Sequence, residues 1–159
     1  MASIFANSVQ DERPLHRYLT YRLAMLNARL TRQGGAILAR EGGLKIPEWR
    51  TMSLLATRGA MNGREISAAS RMDAGLISRA LRALEMRGLL AIERSDADRR
   101  VARATLTPAG MDLYTRVLPA MRRRQEDLLD ALTPAERGSV FRIIDKLEMA
   151  ASRPVGGAE

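Results

Sequence analysis

Apolar residues recur along the first quarter of the chain at helical steps. Leu15, Leu19, Leu23, Leu26, Leu30 and Ile37 follow one another at intervals of four, four, three, four and seven, a period that puts them on one side of a helix from Pro14 to about Arg40. A second strip, Tyr18, Tyr21, Met25 and Ala28, keeps the same period on nearly the opposite side. One apolar face lies on the chain's own core. A second face needs another cover, and a partner subunit is the economical candidate.

Gly42 and Gly43 interrupt this pattern, and Pro47 stands where a first helical residue belongs. The next helix, about Pro47 to Thr57, turns Trp49, Met52, Leu55 and Ala56 inward and closes at Gly59. Asn62-Gly63-Arg64-Glu65 reads as a capping box opening a short helix to about Arg71. Asp73 caps the following helix, whose Ile77, Ala80, Leu81 and Leu84 form a buried strip before Gly88 ends it. Two short runs, Leu89 to Arg94 and Val101 to Leu106, flank a charged turn and read as a β-hairpin. Thr107-Pro108 opens a long helix to about Leu132, which Pro119 should kink or split. Thr133-Pro134-Ala135-Glu136 opens a last helix with Val140, Ile143, Ile144 and Leu147 on one face. The expected fold is mainly α with a small β-hairpin.

The 159 residues suit a single domain, 1–159, large enough to fold without a disulfide or metal staple. The absence of Cys excludes thiolate metal sites and thiol chemistry, and His16 is the only histidine. No Gly-x-Gly-x-x-Gly, phosphate loop or metal-ligand cluster is present, so neither an enzyme nor a cofactor is expected. No run approaches the roughly 18 apolar residues of a membrane span, and Met1 to Asp11 does not read as a signal peptide, which points to the cytoplasm. The formal charge is +8, and 24 of the 26 basic residues are Arg, only Lys45 and Lys146 being Lys. Guanidinium forks favour a polyanion such as nucleic acid.

Ile77-Ser78-Arg79, Leu84-Glu85-Met86-Arg87-Gly88-Leu89, Asp98-Arg99-Arg100 and Leu106-Thr107-Pro108-Ala109-Gly110, in this order and spacing, closely resemble the multiple-antibiotic-resistance regulator (MarR) family of bacterial transcription factors. Ile46-Pro47-Glu48-Trp49-Arg50 also looks like that family's second helix, and the resemblance runs from about Pro14 to Ala151. It implies a winged helix-turn-helix homodimer on a pseudo-palindromic DNA operator. Residues 14–40 and 108–152 would supply the dimerisation helices and 47–106 the DNA-binding lobe. The helix after Asp73 would enter the major groove and the hairpin the adjacent minor groove. Where the family often has Arg soon after the Gly-Leu, this chain has Ala91, Ile92 and Glu93, and Arg94 is its first base there.

On the reading helix the expected DNA-facing residues are Ala74, Gly75, Leu76, Ser78, Arg79 and Arg82. Small residues let it lie deep, while Arg79 and Arg82 reach guanine edges or phosphates. Solvated arginines are the competing account. On the hairpin the resemblance makes Asp98 and Arg100 the pair that orients the wing, with Arg94 or Arg99 at its tip. Arg122, Arg123 and Arg124 lie outside this segment and read as intersubunit or solvated charges. The family commonly takes small anionic or aromatic effectors between the dimer helices and the lobe. Here Tyr18, Tyr21, Met25 and Trp49, with His16, Arg17 and Arg22 to meet a carboxylate, are the candidates. The expected function is a repressor of transcription released by such an effector; the alternative is an architectural protein that coats DNA without regard to sequence.

Overall fold

The computed structural model describes residues 14–94 and 102–153. A 3-10 turn, Leu15–Arg17, precedes α1 (Leu19–Gly42). Then follow α2 (Ile46–Arg58), β1 (Met61–Asn62), α3 (Gly63–Ser70), α4 (Ala74–Met86), β2 (Leu90–Arg94), β3 (Ala102–Leu106), α5 (Pro108–Asp130) and α6 (Pro134–Ala151). The chain divides into two compact units, one ending at Val117 and the other beginning at Leu118.

Element ends follow from short-range chemistry. Gly43 adopts a left-handed φ of 59°, and α1 closes as its amide donates to Ala39 O and that of Leu44 to Leu38 O. Leu44 is thereby turned into the core. The Glu48 carboxylate accepts from the Lys45 amide at 2.9 Å, so α2 starts one residue earlier than Pro47 implied. Asn62 and Glu65 make the expected reciprocal cap of α3, at 2.9 and 2.8 Å. Asp73 Oδ1 accepts the Leu76 amide at 2.8 Å to open α4.

The first unit is built around Leu38, Met52, Leu55, Ile66, Ile77, Leu84 and Val117, all buried. A three-stranded antiparallel sheet in the order β1-β3-β2 completes it, with Ile92 opposite Ala104 and Met61 on the other side of Ala104. β1 carries no signature in the sequence: two residues are too few to show a strand period, and Asn62 serves as both strand residue and helix cap.

Two expectations about the first helix need correction. The first helix is not continuous from Pro14, because Tyr18 is extended and separates the 3-10 turn from α1. Nor do its two apolar strips divide into a covered and an uncovered face. Leu15, Leu19, Leu23 and Leu26 are as exposed as Tyr18, Tyr21 and Met25, and among α1 residues only Gly34 and Leu38 are buried. The physical reason is length: α1 meets the core only toward its C-terminal end. At Pro119 the helix is not split, since α5 runs from Pro108 to Asp130 with the proline inside it. One proline removes a single backbone hydrogen bond, and intact turns on either side carry the helix through.

Within the second unit, Thr133 caps α6 and its backbone amide, then its hydroxyl, hold the Glu136 carboxyl below the ordinary carboxylate range. That cap is at full strength above the ordinary glutamate range and weakens as pH falls through the depressed value. No described residue of α6 is buried, and Phe141, Ile143, Ile144 and Met149 are exposed.

On α2, Thr51 is fully buried and its hydroxyl has no hydrogen-bond partner among the described residues. Valine keeps the β-branched shape and helical rotamer while removing the unmet polar group. Thr51→Val should therefore raise stability by about 1 kcal/mol in urea titration. A lower midpoint would mean that the hydroxyl is bonded in solution.

Candidate nucleic-acid interface

The turn between α3 and α4 is held by Ser67, whose hydroxyl donates to Met72 O at 2.6 Å, and by Arg71 in the left-handed region at φ 54°. Buried Met72 anchors the turn from below. On α4 the inward face is Ile77, Ala80 and Leu84, all buried, whereas Ala74, Gly75, Ser78, Arg79 and Arg82 are exposed and Leu76 is half-buried at the edge. The helical period thus separates a buried face from an exposed one as the spacing predicts. Leu81, expected in the core strip, is half-buried because it borders a cleft.

Gly75 matters for space. A methyl group there would lie 3.2 Å from Asp73 Oδ1, a tight approach to the capping carboxylate, and in ordinary contact with Arg79 Nη1 at 3.6 Å. Arg82 enters the wall of an open cleft of about 990 Å3 between α3, α4 and the strands, together with Arg64, Ser67, Ser78, Ile92 and Ala102. Arg64 is a residue the sequence reading passed over, although its place in the first turn of α3, inside the capping box, sets it facing α4.

A second omission is Arg103 on β3. Its guanidinium donates to Ala60 O and lies 3.5 Å from the Glu65 carboxylate, the same carboxylate that caps α3. Because Arg103 pairs in register with Asn62, the strand leading out of the hairpin is tied to the start of the helix-turn-helix. Asp98, Arg99 and Arg100 lie outside the described residues, and Arg94 enters only as the last residue of β2.

Of the residues proposed for an effector, His16 and Arg17 stand in the 3-10 turn, Tyr18 caps α1, and Tyr21, Arg22 and Met25 line its exposed N-terminal half. Trp49, half-buried on α2, stacks on Tyr114 of α5 with ring centroids 5.2 Å apart and planes inclined by 23°. Tyr114 is a third residue absent from the sequence expectations, since no neighbour along the chain marks the ring that stacks on it from α2. Among the described residues there is no group of acidic, His or Cys side chains that could hold a metal, and no helix long and apolar enough to cross a membrane.

Residues 44–102 match the model of the MarR family. A Thauera aromatica protein named as a transcriptional regulatory protein for the hcr operon is 26% identical over 96 residues, which cover 60% of this chain. The match spans 58% of that relative's length. Bordetella bronchiseptica BpsR, whose DNA binding is regulated by 6-hydroxynicotinic acid, is similar in structure at 25% identity and a TM-score of 0.68, over 80% of this chain and 98% of its own. S. aureus MepR, solved in a complex with DNA, shares the fold at 17% identity and a TM-score of 0.80, over 85% of this chain and 99% of its own. With the helix-turn-helix and the antiparallel hairpin, this match makes residues 44–102 similar to the winged-helix domain of the MarR family.

Proposed function

We propose that the chain is a sequence-specific regulator of transcription that binds double-stranded DNA as a homodimer. The observation that carries this reading is the division of α4: small residues and Arg79 and Arg82 on its exposed face, and Ile77, Ala80 and Leu84 beneath. Such a face can enter a major groove, where a guanidinium reads guanine bidentately. Arg64 adds positive charge beside it, and Asp98 and Arg100, with Arg94 or Arg99, would serve a wing in the minor groove. The dimer reading rests on the exposed apolar rows of α1 and α6, which a partner copy would cover.

The regulator acts as a repressor, and a small aromatic or anionic organic molecule releases it. BpsR, which responds to an aromatic acid, supports this class of effector. His16, Arg17 and Arg22 would meet a carboxylate, while Tyr18, Tyr21, Met25 and the Trp49–Tyr114 stack offer ring contacts. Release requires that the effector favour a lobe spacing unlike the roughly 34 Å between successive major grooves, since a ligand shifts an equilibrium only by its differential affinity.

Selection of bound duplexes from a random pool, followed by competition against random DNA, tests the proposal. A preference of about a thousandfold or more for the selected sequence is expected. Equal affinity for both would point to architectural coating instead. Arg82→Ala should then cost about tenfold in affinity for the selected duplex. If the loss is confined to one base position, Arg82 reads that base; if it is uniform and the salt dependence becomes shallower, Arg82 holds a phosphate.

A further inference from the structure

Arg87 is the C-cap of α4, yet its side chain serves the end of a different helix. Nη2 donates to Gly42 O and Nη1 to Gly43 O, each at 3.0 Å, and Nη1 lies 3.7 Å from the Glu48 carboxylate. The two carbonyls close α1, whose last turn is left without intrahelical donors. Glu48 opens α2 and is buried, so its charge needs a partner close by. One guanidinium thus joins the C-terminus of α1, the N-terminus of α2 and the C-terminus of α4.

The chemistry of that joint is particular to arginine. A planar fork spans two neighbouring carbonyls with two parallel N–H bonds while its positive charge faces both a helix C-terminus and a buried carboxylate. An ammonium supplies the charge but not the fork. With both terminal nitrogens engaged in this way, Arg87 is turned from the groove-facing row of Arg79 and Arg82 and acts on α4 from behind.

We infer that Arg87 is a positioning residue that sets the angle between α1 and α4. This rests on the proposed dimer: α1 carries the apolar row assigned to the seam and α4 the reading face, so the angle at Arg87 sets the separation of the two α4 helices across the dimer. Loss of the fork loosens that separation without removing any group that touches DNA.

The experiment measures affinity of wild type, Arg87→Met and Arg87→Lys for the selected operator and for versions with one or two base pairs added between half-sites. It is done below the unfolding range of each variant. Wild type should prefer the native spacing by about tenfold or more. In Arg87→Met the native-spacing affinity should fall by about tenfold while the altered spacings change little, flattening the profile. Arg87→Lys, which keeps a cation beside Glu48 and so protects the fold, should flatten it in the same direction. An equal loss at every spacing, or a wild-type profile retained by Arg87→Lys, overturns the inference while leaving the dimeric regulator intact. A wild type indifferent to spacing overturns both.

Discussion

Gly110→Ala is expected to lower the stability of the winged-helix unit by about 3 kcal/mol or more. The first turn of α5 runs against the turn that ends α4. Thr107 donates its amide to Leu89 O and its hydroxyl to Gly88 O at 2.7 Å, and the Gly110 amide donates to the Thr107 hydroxyl at 3.1 Å. This places Gly110 so close that a Cβ would stand 1.9 Å from Leu89 O and 2.9 Å from Leu89 C. Both atoms are backbone, held by the start of β2, so no side-chain rotation can relieve the overlap. Either the α5 turn or the base of the hairpin must move, and the Thr107 bonds are lost with it. Urea titration followed by circular dichroism reads the loss as a lower midpoint with an unchanged slope. A variant with the wild-type midpoint would show that the two backbones do not approach as described.

The second large effect is expected from Leu19→Glu combined with Leu23→Glu. Both leucines are about half exposed, at 51% and 42%, so within a single chain they can be exchanged for a residue of similar helix propensity at little cost. At a dimer seam the same change places unpaired carboxylates in an apolar contact, and twofold symmetry repeats it, for a penalty of several kcal/mol. The wild type should sediment as a dimer and the double variant as a monomer with undiminished helicity. Operator affinity should fall by about a thousandfold, because a single lobe grips one half-site. A double variant that remains dimeric would move the seam away from the N-terminal half of α1. A monomeric wild type would end the dimer reading itself.

These two experiments fall on different kinds of residue. Gly110 belongs to a motif visible in the sequence as Leu106-Thr107-Pro108-Ala109-Gly110, yet the sequence holds no sign of what the glycine avoids. Leu19 and Leu23 belong to a period that is plain in the sequence, but the period cannot say what covers them. The exposed and buried faces of α4 were legible apart from Leu81, since Asp73 marks the start of the helix and Ile77, Ala80 and Leu84 mark its buried side. Arg64 and Arg103 escaped notice because each acts on a neighbour in space, Arg103 across more than forty residues of chain. Arg87 stood among the motif residues with no role attached, for the same reason.

Capping boxes, glycine stops and apolar periods act within three or four residues, at distances set by the covalent chain. The order of the helices, the caps that open α3 and α4 and the buried side of α4 could therefore be read directly from neighbouring letters, whereas the start of α1 and its buried side could not. Three features were decided only when distant segments met: the pairing of Met61-Asn62 with β3, the clasp of Arg87 on Gly42 and Gly43, and the contact of Gly110 with Leu89. Each depends on the path of the whole chain, which sums many weak packing preferences and has no signature at any one position.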